Sequence, residues 1–257
     1  MAELDGVPVG LAQLQALALT NYGHFTTMRV EDGRVRGLSL HLDRLVRDCR
    51  VVFGAELDPE RVRALVRRAA PGAGAVIIRV TVFDPDLDPG HIGGDARPRV
   101  LVTSRPAAGL PLPPLRVRTA VFVRDLPEVK SVGLFGALRH RREARRAGLD
   151  DVLFVDDRSR VGEGGTWNIG LVRGGEIVWP DAACLPGTTM ELLKRVHPFT
   201  SATVRATGLA DYEAAFATNA AVGVRAIAGI DGHRPDPAHP ALDLLRGEYL
   251  AVPPEPL

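Results

Sequence analysis

The chain has 257 residues, an ordinary content of apolar (46%) and charged (25%) residues, and a net charge of +1. Its length allows one large or two small domains that need no disulfides, and its balanced charge argues against a dedicated nucleic-acid-binding protein. No apolar run could span a membrane, the acidic N-terminal residues do not resemble a signal peptide, and two cysteines without metal-ligand spacing favour a reducing cytoplasm.

The first half of the chain predicts a lobe of mixed strands and helices. Alternating apolar and polar residues indicate strands, and a turn at Gly33 joins the first two of them. Leu42, Leu45 and Cys49 recur at helical spacing after Ser39, which we expect to cap that helix. The expected strands are residues 25–30, 34–38, 75–83 and 99–103, and the expected helices are residues 39–53 and 58–69.

A proline-rich stretch then divides the chain. We expect an N-terminal lobe of residues 1–107, a linker of residues 108–114, and a larger C-terminal lobe of residues 115–257 that carries Lys130. Helices are expected at residues 134–147 and from about residue 189, and strands at residues 115–122, 152–155, 169–172, 176–178, 202–205, 214–218 and 224–230. Without a regular βαβ alternation, the predicted fold class is mixed α/β. The proline-rich residues 252–257 are expected to be disordered or to lie on the surface.

Lysine is rare in this chain. Only Lys130 and Lys194 occur among 32 basic residues, so arginine serves wherever charge alone is needed. Arginine stays protonated, whereas a desolvated lysine can lose its proton and attack a carbonyl group. A lysine retained against this bias is a candidate for amine chemistry, although chance retention explains either one equally well.

Several short motifs follow one another in a definite order. They occupy residues 22–30, 41–45, 129–130, 143–153, 161–164, 168–169, 185–189 and 216–220. Their order and spacing resemble the class IV aminotransferases, which include branched-chain aminotransferase, D-amino-acid aminotransferase and aminodeoxychorismate lyase. The resemblance covers about residues 20–230. Each motif alone has a structural explanation, such as helix capping, and only the complete order is specific.

The resemblance implies a fold and a set of site residues. The fold would be type IV of the pyridoxal 5'-phosphate (PLP) enzymes, which are usually homodimers with two α/β lobes and the cofactor in the cleft between them. By position, Lys130 resembles the lysine that forms a Schiff base with PLP, and Glu163 resembles the carboxylate that faces the pyridine nitrogen. The residues that resemble the phosphate-binding set are Arg44, Thr188, Thr189, Asn219 and Ala220.

Elementary chemistry agrees with these roles. A lysine must be neutral to form a Schiff base, and a buried position beside Arg44 disfavours its charged form. The glycines on either side of Glu163 would let the backbone approach the cofactor ring. A helix N-terminus near Thr189 suits a phosphate dianion, and Thr188 and Glu191 have the spacing of a capping box.

The motifs leave the reaction open. Thr26 and residues 218–220 are closer to aminodeoxychorismate lyase, whereas Gly133 and the absence of an Arg-Gly-rich segment in residues 80–98 count against it. Phe135 replaces the tyrosine of branched-chain enzymes. We expect an aminotransferase that moves an amino group between an amino acid and a 2-oxo acid. The alternative is a lyase that releases pyruvate from aminodeoxychorismate and leaves 4-aminobenzoate.

The third alternative is a non-catalytic protein, either a PLP-fold scaffold that has lost activity or an RNA-associated protein. The basic residues 139–146 could contact RNA, but no aromatic residue lies among them, so a solvated or subunit-facing helix is expected instead. The presence of Lys130, Glu163 and Arg44 together favours an enzyme. We therefore expect a small-molecule substrate, no nucleic-acid, membrane or metal partner, and a cytoplasmic homodimer.

Overall fold

The structure, a computed structural model, describes residues 1–257 and divides into two compact units. The N-terminal unit comprises Met1–Ala108, Val129–Gly133 and Pro254–Leu257, and the C-terminal unit comprises Gly109–Glu128 and Leu134–Pro253. The first boundary falls at the predicted linker. The grouping of Lys130 differs from our expectation, because this residue belongs to the N-terminal unit rather than to the C-terminal lobe. Hydrogen bonds from Phe25 N to Lys130 O (2.8 Å) and from Val132 N to Gly23 O (3.0 Å) attach its segment there.

The elements follow one another along the chain with these bounds. The strands are β1 Ala2–Leu4, β2 Val7–Pro8, β3 His24–Glu31, β4 Arg34–Val35, β5 Ala75–Phe83, β6 Arg99–Pro106, β7 Leu115–Val121, β8 Asp151–Val155, β9 Val161–Gly164, β10 Asn168–Arg173, β11 Glu176–Pro180, β12 Phe199–Ala202, β13 Ala214–Asn219, β14 Gly223–Ile230 and β15 Glu255–Pro256. The helices are α1 Leu11–Thr20, α2 Leu38–Phe53, α3 Pro59–Ala69, α4 Phe135–Arg146, α5 Thr188–Val196 and α6 Pro240–Ala251, with 3-10 turns at Pro89–His91 and Ala206–Asp211.

The N-terminal unit is built on a seven-stranded sheet in the order β15-β4-β3-β5-β6-β1-β2. Because side chains alternate across a strand, Met28 and Val30 of β3 share one face with Thr26, and this face packs against α2 and α3. Phe25 and Thr27 lie on the opposite face. Along most of its length the first face is apolar, so a polar residue such as Thr26 on it needs a partner within the unit.

The C-terminal unit is built on a mixed eight-stranded sheet in the order β12-β11-β10-β13-β14-β7-β8-β9. Strand β10 alternates between two cores, since Ile169 and Leu171 join one cluster while Val172 joins another with Met190 of α5 and Leu242 of α6. This packing fixes α5 against the sheet, which positions the N-terminus of α5. No helix is both long and apolar enough to cross a membrane.

Two local predictions were wrong at the start of α2. The predicted second strand is short, and Gly37, with a left-handed φ of 69°, precedes the helix in place of the predicted cap Ser39. Ser39 lies inside the first turn, where its N–H donates to both carboxylate oxygens of Glu255, at 3.3 and 3.1 Å. A carboxylate at a helix N-terminus satisfies free amide groups and interacts favourably with the helix dipole.

The C-terminal tail is neither disordered nor only draped on the surface, which corrects the prediction for residues 252–257. Glu255 pairs with Val35 as an added strand, and the amide of Leu257 donates to Gly33 O at 3.0 Å. The side chain of Leu257 is buried among the α2 and α3 residues of the first core. The segment therefore has the hydrogen bonds and the apolar anchor that its proline content concealed.

Apart from β15 in the tail, sequence patterns missed five elements and displaced a sixth. Helix α1 has no charged residue and no buried residue, so it lacks the amphipathic contrast that identifies a helix. Strands β1, β2 and β9 are too short to show a repeat, and α6 was not predicted. Strand β12 spans Phe199–Ala202 and ends where the expected strand began.

The burial of Leu257 makes the tail a measurable part of core stability. We expect Leu257→Ala to lower the free energy of unfolding by about 2 kcal/mol, because a buried leucine leaves a cavity when it is shortened. Urea unfolding followed by circular dichroism measures this change. Leu244→Ala, at a position that is 53% exposed, is the control and should change little. Equal values for the two variants would contradict a tail that belongs to the core.

Candidate functional site

The N-terminal unit buries a group of polar side chains on β3 and α2. They are His24, Thr26, His41, Arg44 and Asp48. The three on α2 lie at positions i, i+3 and i+7, which is one helical face, and the apolar residues Leu42, Leu45 and Cys49 border them. Burying polar groups is costly unless they are hydrogen-bonded, so this face serves a purpose other than packing.

A chain of hydrogen bonds joins three of these side chains. Nη2 of Arg44 donates to the hydroxyl of Thr26 at 2.6 Å, and this hydroxyl lies 2.7 Å from Nδ1 of His41. Since the hydroxyl oxygen accepts from the guanidinium, its own proton is available to His41 Nδ1. A neutral His41 can accept this proton at Nδ1. The arrangement fixes the Arg44 guanidinium through Nη2, which also lies 3.4 Å from His41 Nδ1.

The two histidines of this group are neutral at physiological pH. Burial, followed by the nearby charges of Arg44 and Lys130, lowers the pKa of His41 well below its usual range. Burial lowers the pKa of His24 to about 4, with the carboxylate of Asp48 acting in the opposite direction. Neither ring nitrogen of His24 has a hydrogen bond within the protein. The cationic groups that act on His41 are thus Arg44 and Lys130, while both imidazoles stay neutral.

Lys130 lies in a segment that is neither helix nor strand. Its backbone N–H donates to Asp48 Oδ2 at 3.0 Å, and its carbonyl accepts from Phe25 N at 2.8 Å. Its amine, Nζ, is 4.9 Å from the centre of the Phe25 ring. The lysine that the sequence singled out is therefore attached to β3 and α2 by its own backbone.

A second cation shares the same ring. Cζ of Arg79, on β5, lies 3.6 Å from the centre of the Phe25 ring, and Nε of Arg79 donates to the hydroxyl of Thr81 at 3.2 Å. Burial lowers the pKa of Arg79, although a guanidinium remains charged. Phe25, Thr81 and the two cations therefore form a basic surface on the sheet face opposite α2. Sequence reasoning missed Arg79.

In the C-terminal unit, Glu163 of β9 is buried and held by two groups. One carboxylate oxygen, Oε1, is 3.5 Å from Nε of Arg124, and the other, Oε2, accepts from Leu185 N at 3.3 Å. The pair is largely out of solvent, with 17% of the Arg124 side chain and 11% of the Glu163 side chain exposed. Arg124 thus supplies a charge that offsets the cost of burying the Glu163 carboxylate, and no sequence pattern indicated this residue.

The loop before α5 is tied to the same carboxylate. Asn168 is directly opposite Glu163 in the β9–β10 pairing, and its amide group donates to Leu185 O at 2.7 Å. A Cβ on Gly187 would lie 2.1 Å from Asn168 Oδ1, so only glycine fits at that position. Glu163 and Asn168 together fix Leu185, and Leu185 leads directly into α5.

The N-terminus of α5 carries two buried hydroxyl groups. Gly187 is the residue before the helix, and Thr188 and Thr189 are its first two residues. Neither hydroxyl has a hydrogen bond within the protein. The expected capping box of Thr188 with Glu191 is wrong, because Thr188 lies inside the helix rather than before it. Two free hydroxyls beside unsatisfied helix amides suit an anion.

In the turn after β13, which we expected to contact phosphate, the asparagine side chain forms hydrogen bonds within the turn itself. Asn219 Oδ1 accepts from the N–H groups of Ala221 and Val222, both at 3.0 Å, so this side chain holds its own turn together. Ala220 lies in that turn. The buried hydroxyl of the preceding Thr218 has no hydrogen bond within the protein, and sequence reasoning did not single it out.

One glycine has a structural reason instead of the expected one. A Cβ on Gly164 would lie 2.0 Å from the ring of Trp167, so Gly164 makes room for a tryptophan. Gly162 has only ordinary contacts at 3.6 Å or more from such an atom. We expected the glycines beside Glu163 to let the backbone approach the cofactor ring. At Gly164, packing against Trp167 already explains the glycine.

Comparison with known proteins identifies the family that these residues resemble. The family model for amino-transferase class IV matches residues 23–230. A hypothetical aminotransferase from Mycobacterium tuberculosis, solved with alpha-ketoglutarate and PMP, is similar in structure, with 21% identity, 98% coverage of both chains and a TM-score of 0.81. No curated protein matches the chain in sequence.

Two other solved structures have the same fold. A branched-chain aminotransferase from Thermoproteus uzoniensis, solved with norvaline, gives a TM-score of 0.83 at 20% identity, covering 97% of this chain and 93% of the other. A proposed 4-amino-4-deoxychorismate lyase from Legionella pneumophila gives 0.75 at 21% identity, covering 93% of both chains. At these identities the likeness establishes the fold, fold type IV, and not the reaction.

The link between Thr26, Arg44 and His41 predicts a stability difference between neighbouring residues. Thr26→Val removes the hydroxyl that serves both buried partners, and we expect a loss of about 1–3 kcal/mol in the free energy of unfolding. Thr27→Val is the control, because Thr27 is on the opposite sheet face and only half-buried. Urea unfolding measures both, and equal losses would mean that the hydrogen bonds do not contribute.

The buried His24 predicts a stability that depends on pH. An unfolded chain takes up a proton on this histidine near pH 6.5, and the folded protein does so only near pH 4. The stabilisation is therefore complete above pH 6.5 and decreases by about 3 kcal/mol as the pH falls towards 4. His24→Phe should flatten this part of the profile, measured by urea unfolding at several pH values. His91→Phe, at a largely exposed position, should leave the profile unchanged, and an unchanged profile in His24→Phe would refute the prediction.

Proposed function

The chain belongs to the class IV aminotransferase family, whose cofactor is PLP, and we propose that it is an aminotransferase acting on an amino acid and a 2-oxo acid. The observation that carries the proposal is the attachment of Lys130, the only lysine of the N-terminal unit, to the strand and helix that hold Arg44. An attacking amine and a guanidinium that can bind phosphate are two groups with which a protein can hold PLP.

The buried polar groups fit a phosphorylated cofactor. The hydroxyls of Thr188 and Thr189 have no internal partner and begin a helix, where a phosphate would receive both hydroxyl and amide hydrogen bonds. Arg44 offers a fixed guanidinium for a bidentate, charge-assisted contact to phosphate oxygens. Each unit therefore carries candidates for phosphate binding, Arg44 in the N-terminal unit and Thr188, Thr189 and the backbone turn at Ala220 in the C-terminal unit. Asn219 shapes that turn.

Glu163 is our candidate for the carboxylate at the pyridine nitrogen. When bound, PLP withdraws electrons from the substrate's α-carbon, and a carboxylate at the ring nitrogen keeps that nitrogen protonated. Glu163 Oε1 lies 3.5 Å from Arg124 Nε, and Leu185 N donates to Oε2 and orients the carboxylate. Lys130, in turn, is the group that bonds the cofactor and moves the proton at the substrate's α-carbon.

Arg79 supports a carboxylate-bearing substrate. Its guanidinium and the Lys130 amine contact the same ring of Phe25, so an amino acid whose nitrogen meets the lysine has a cation available for its carboxylate. The Mycobacterium tuberculosis relative, which binds alpha-ketoglutarate, is consistent with an oxo-acid partner. We propose Arg79 as the residue that recognises this acid group.

The lyase remains the alternative. Two of the residues that favoured it in the sequence have roles in the structure that weaken this support. Thr26, one of the lyase-like residues, serves Arg44 and His41 within the N-terminal unit. Asn219, another, serves its own turn. Both residues therefore have structural reasons that do not depend on the substrate, which leaves the aminotransferase favoured.

We also propose a cytoplasmic homodimer. Both cysteines are free, as in a reducing compartment. Helix α4 exposes Phe135 (79%) and Leu138 (50%), and apolar side chains of this kind are commonly covered by another subunit. This helix carries the basic residues that sequence analysis assigned to a solvated or subunit-facing side.

A direct assay separates the two reactions. The PLP-loaded protein is given a panel of amino acids with 2-oxo acids, and separately aminodeoxychorismate. We expect a new amino acid and a new oxo acid from the first mixture, in equal amounts, and no 4-aminobenzoate from the second. Arg79→Ala should raise KM for the acidic partner. Release of pyruvate and 4-aminobenzoate without amino transfer would establish the lyase instead.

Lys130 and Lys194 provide a matched pair for the central role. Lys130→Ala should abolish the visible absorbance of lysine-bound PLP and lower turnover by a factor of about 10²–10⁴ or more, because no other amine of the unit can move the proton. Lys194→Ala should retain both, since Lys194 pairs with Glu191 at 3.4 Å on the side of α5. Full activity in Lys130→Ala would refute the proposed function.

A further inference from the structure

The position of Lys130 depends on hydrogen bonds rather than on regular secondary structure. Its carbonyl accepts from Phe25 N, and its N–H donates to a side chain, Oδ2 of Asp48, at 3.0 Å. The neighbouring Val132 N donates to Gly23 O at 3.0 Å. Asp48 therefore supplies a contact to the lysine's own peptide group that no strand or helix provides.

Asp48 is an unusual residue for its place in the fold. It is fully buried on α2, between Leu45 and Cys49, where a leucine would pack without the cost of burying a carboxylate. That cost is offset by Arg47, whose Nε and Nη2 donate to Oδ1 at 3.0 and 2.6 Å, and by Lys130 N–H on Oδ2. Each carboxylate oxygen thus has a separate task.

Lys130 N–H donates to Oδ2 of Asp48, and Arg47 donates to the other oxygen, Oδ1. His24, the titratable group on β3 that lies near Asp48, is neutral above about pH 4 and makes no hydrogen bond within the protein. Arg47 binds Oδ1 through a side chain that is 43% exposed. The bond to the lysine segment therefore does not compete with a second buried donor.

Asp48 also lies one helical turn after Arg44 on the same buried face of α2. Residues i and i+4 of a helix are about 6 Å apart along its axis, and this spacing is rigid. One helix therefore holds the guanidinium through Arg44 and the lysine segment through Asp48, which sets the relative position of the two.

We propose that Asp48 is a positioning residue, which fixes Lys130 through its peptide N–H in register with Arg44 so that the amine meets the aldehyde of PLP. The inference rests on the proposed function, because it requires Lys130 to be the lysine that bonds PLP. Asp48 itself touches neither cofactor nor substrate in this role. Loss of Asp48 should therefore weaken formation of the covalent bond between Lys130 and PLP. It should not weaken noncovalent binding of the phosphate.

Two forms of the cofactor separate these effects. PLP carries the aldehyde that reacts with lysine, whereas pyridoxamine 5'-phosphate has the same ring and phosphate but cannot form that bond. The dissociation constants of both are measured by titrating the apo-protein of the wild type and of each variant. We expect Asp48→Ala to weaken PLP binding about tenfold more than pyridoxamine 5'-phosphate binding, the scale of one hydrogen bond to a charged group.

Conservative and control variants complete the test. Asp48→Asn retains an oxygen that can accept from Lys130 N–H, so its ratio of the two affinities should stay within about threefold of the wild type. Asp43→Asn changes an exposed carboxylate of the same helix and should have the wild-type ratio. If Asp48→Ala fails to fold, Asp48→Leu keeps the side-chain volume without an acceptor and should show the same tenfold change.

The outcomes distinguish failure of this inference from failure of the proposed function. Equal weakening of both ligands in Asp48→Ala or Asp48→Leu would mean that Asp48 only supports the fold, which would overturn the inference. A loss in Asp48→Asn as large as in Asp48→Ala would also overturn it, since charge and not the peptide contact would then matter. A wild-type protein that binds PLP without a covalent bond to Lys130 would instead overturn the proposed function.

Discussion

The buried polar face of α2 is the constraint on which the arrangement of the N-terminal unit depends. A helix that packs on a sheet normally presents apolar residues, yet α2 presents His41, Arg44 and Asp48 at helical spacing. Thr26 on the facing strand meets the first two through a chain of hydrogen bonds at 2.7 and 2.6 Å. Because such groups are stable in the interior only when partnered, a change in one alters the positions of the others. Lys130 is part of the same arrangement through its backbone.

The C-terminal unit also positions its polar groups through buried polar contacts, with different elements. Arg124 offsets the buried charge of Glu163, and the carboxylate and Asn168 then fix Leu185. That residue leads into α5, so the carboxylate and the helix N-terminus are held as one assembly. In both units, polar contacts between backbone and side chain determine where the chemically active groups lie, while the apolar cores determine only where the elements pack.

Sequence reasoning recovered the parts of the molecule that local patterns determine. The long strands β5 and β6 and the helices α2 to α4 were predicted to within a few residues, because alternation and helical spacing persist over their length. The family was confirmed by a model match over residues 23–230, since the order of its motifs is visible in the chain. The roles of Lys130, Arg44 and Glu163 stay predictions.

Asp48, Arg79 and Arg124 were missed because their importance depends on partners distant in sequence. Asp48 nevertheless left a signal, a charge on an apolar helix face. The tail was misjudged because Leu257 is buried by contacts with residues more than 180 positions earlier.

The central claim is that Lys130 is the amine that bonds PLP, and chemical trapping tests it most directly. The PLP-loaded protein is reduced with borohydride, which makes a lysine–cofactor bond permanent, then digested, and the modified peptide is identified by mass spectrometry. The account predicts one phosphopyridoxyl group per chain, on Lys130. A group found on Lys194 or on the N-terminal amine, or no stable modification at all, would contradict it.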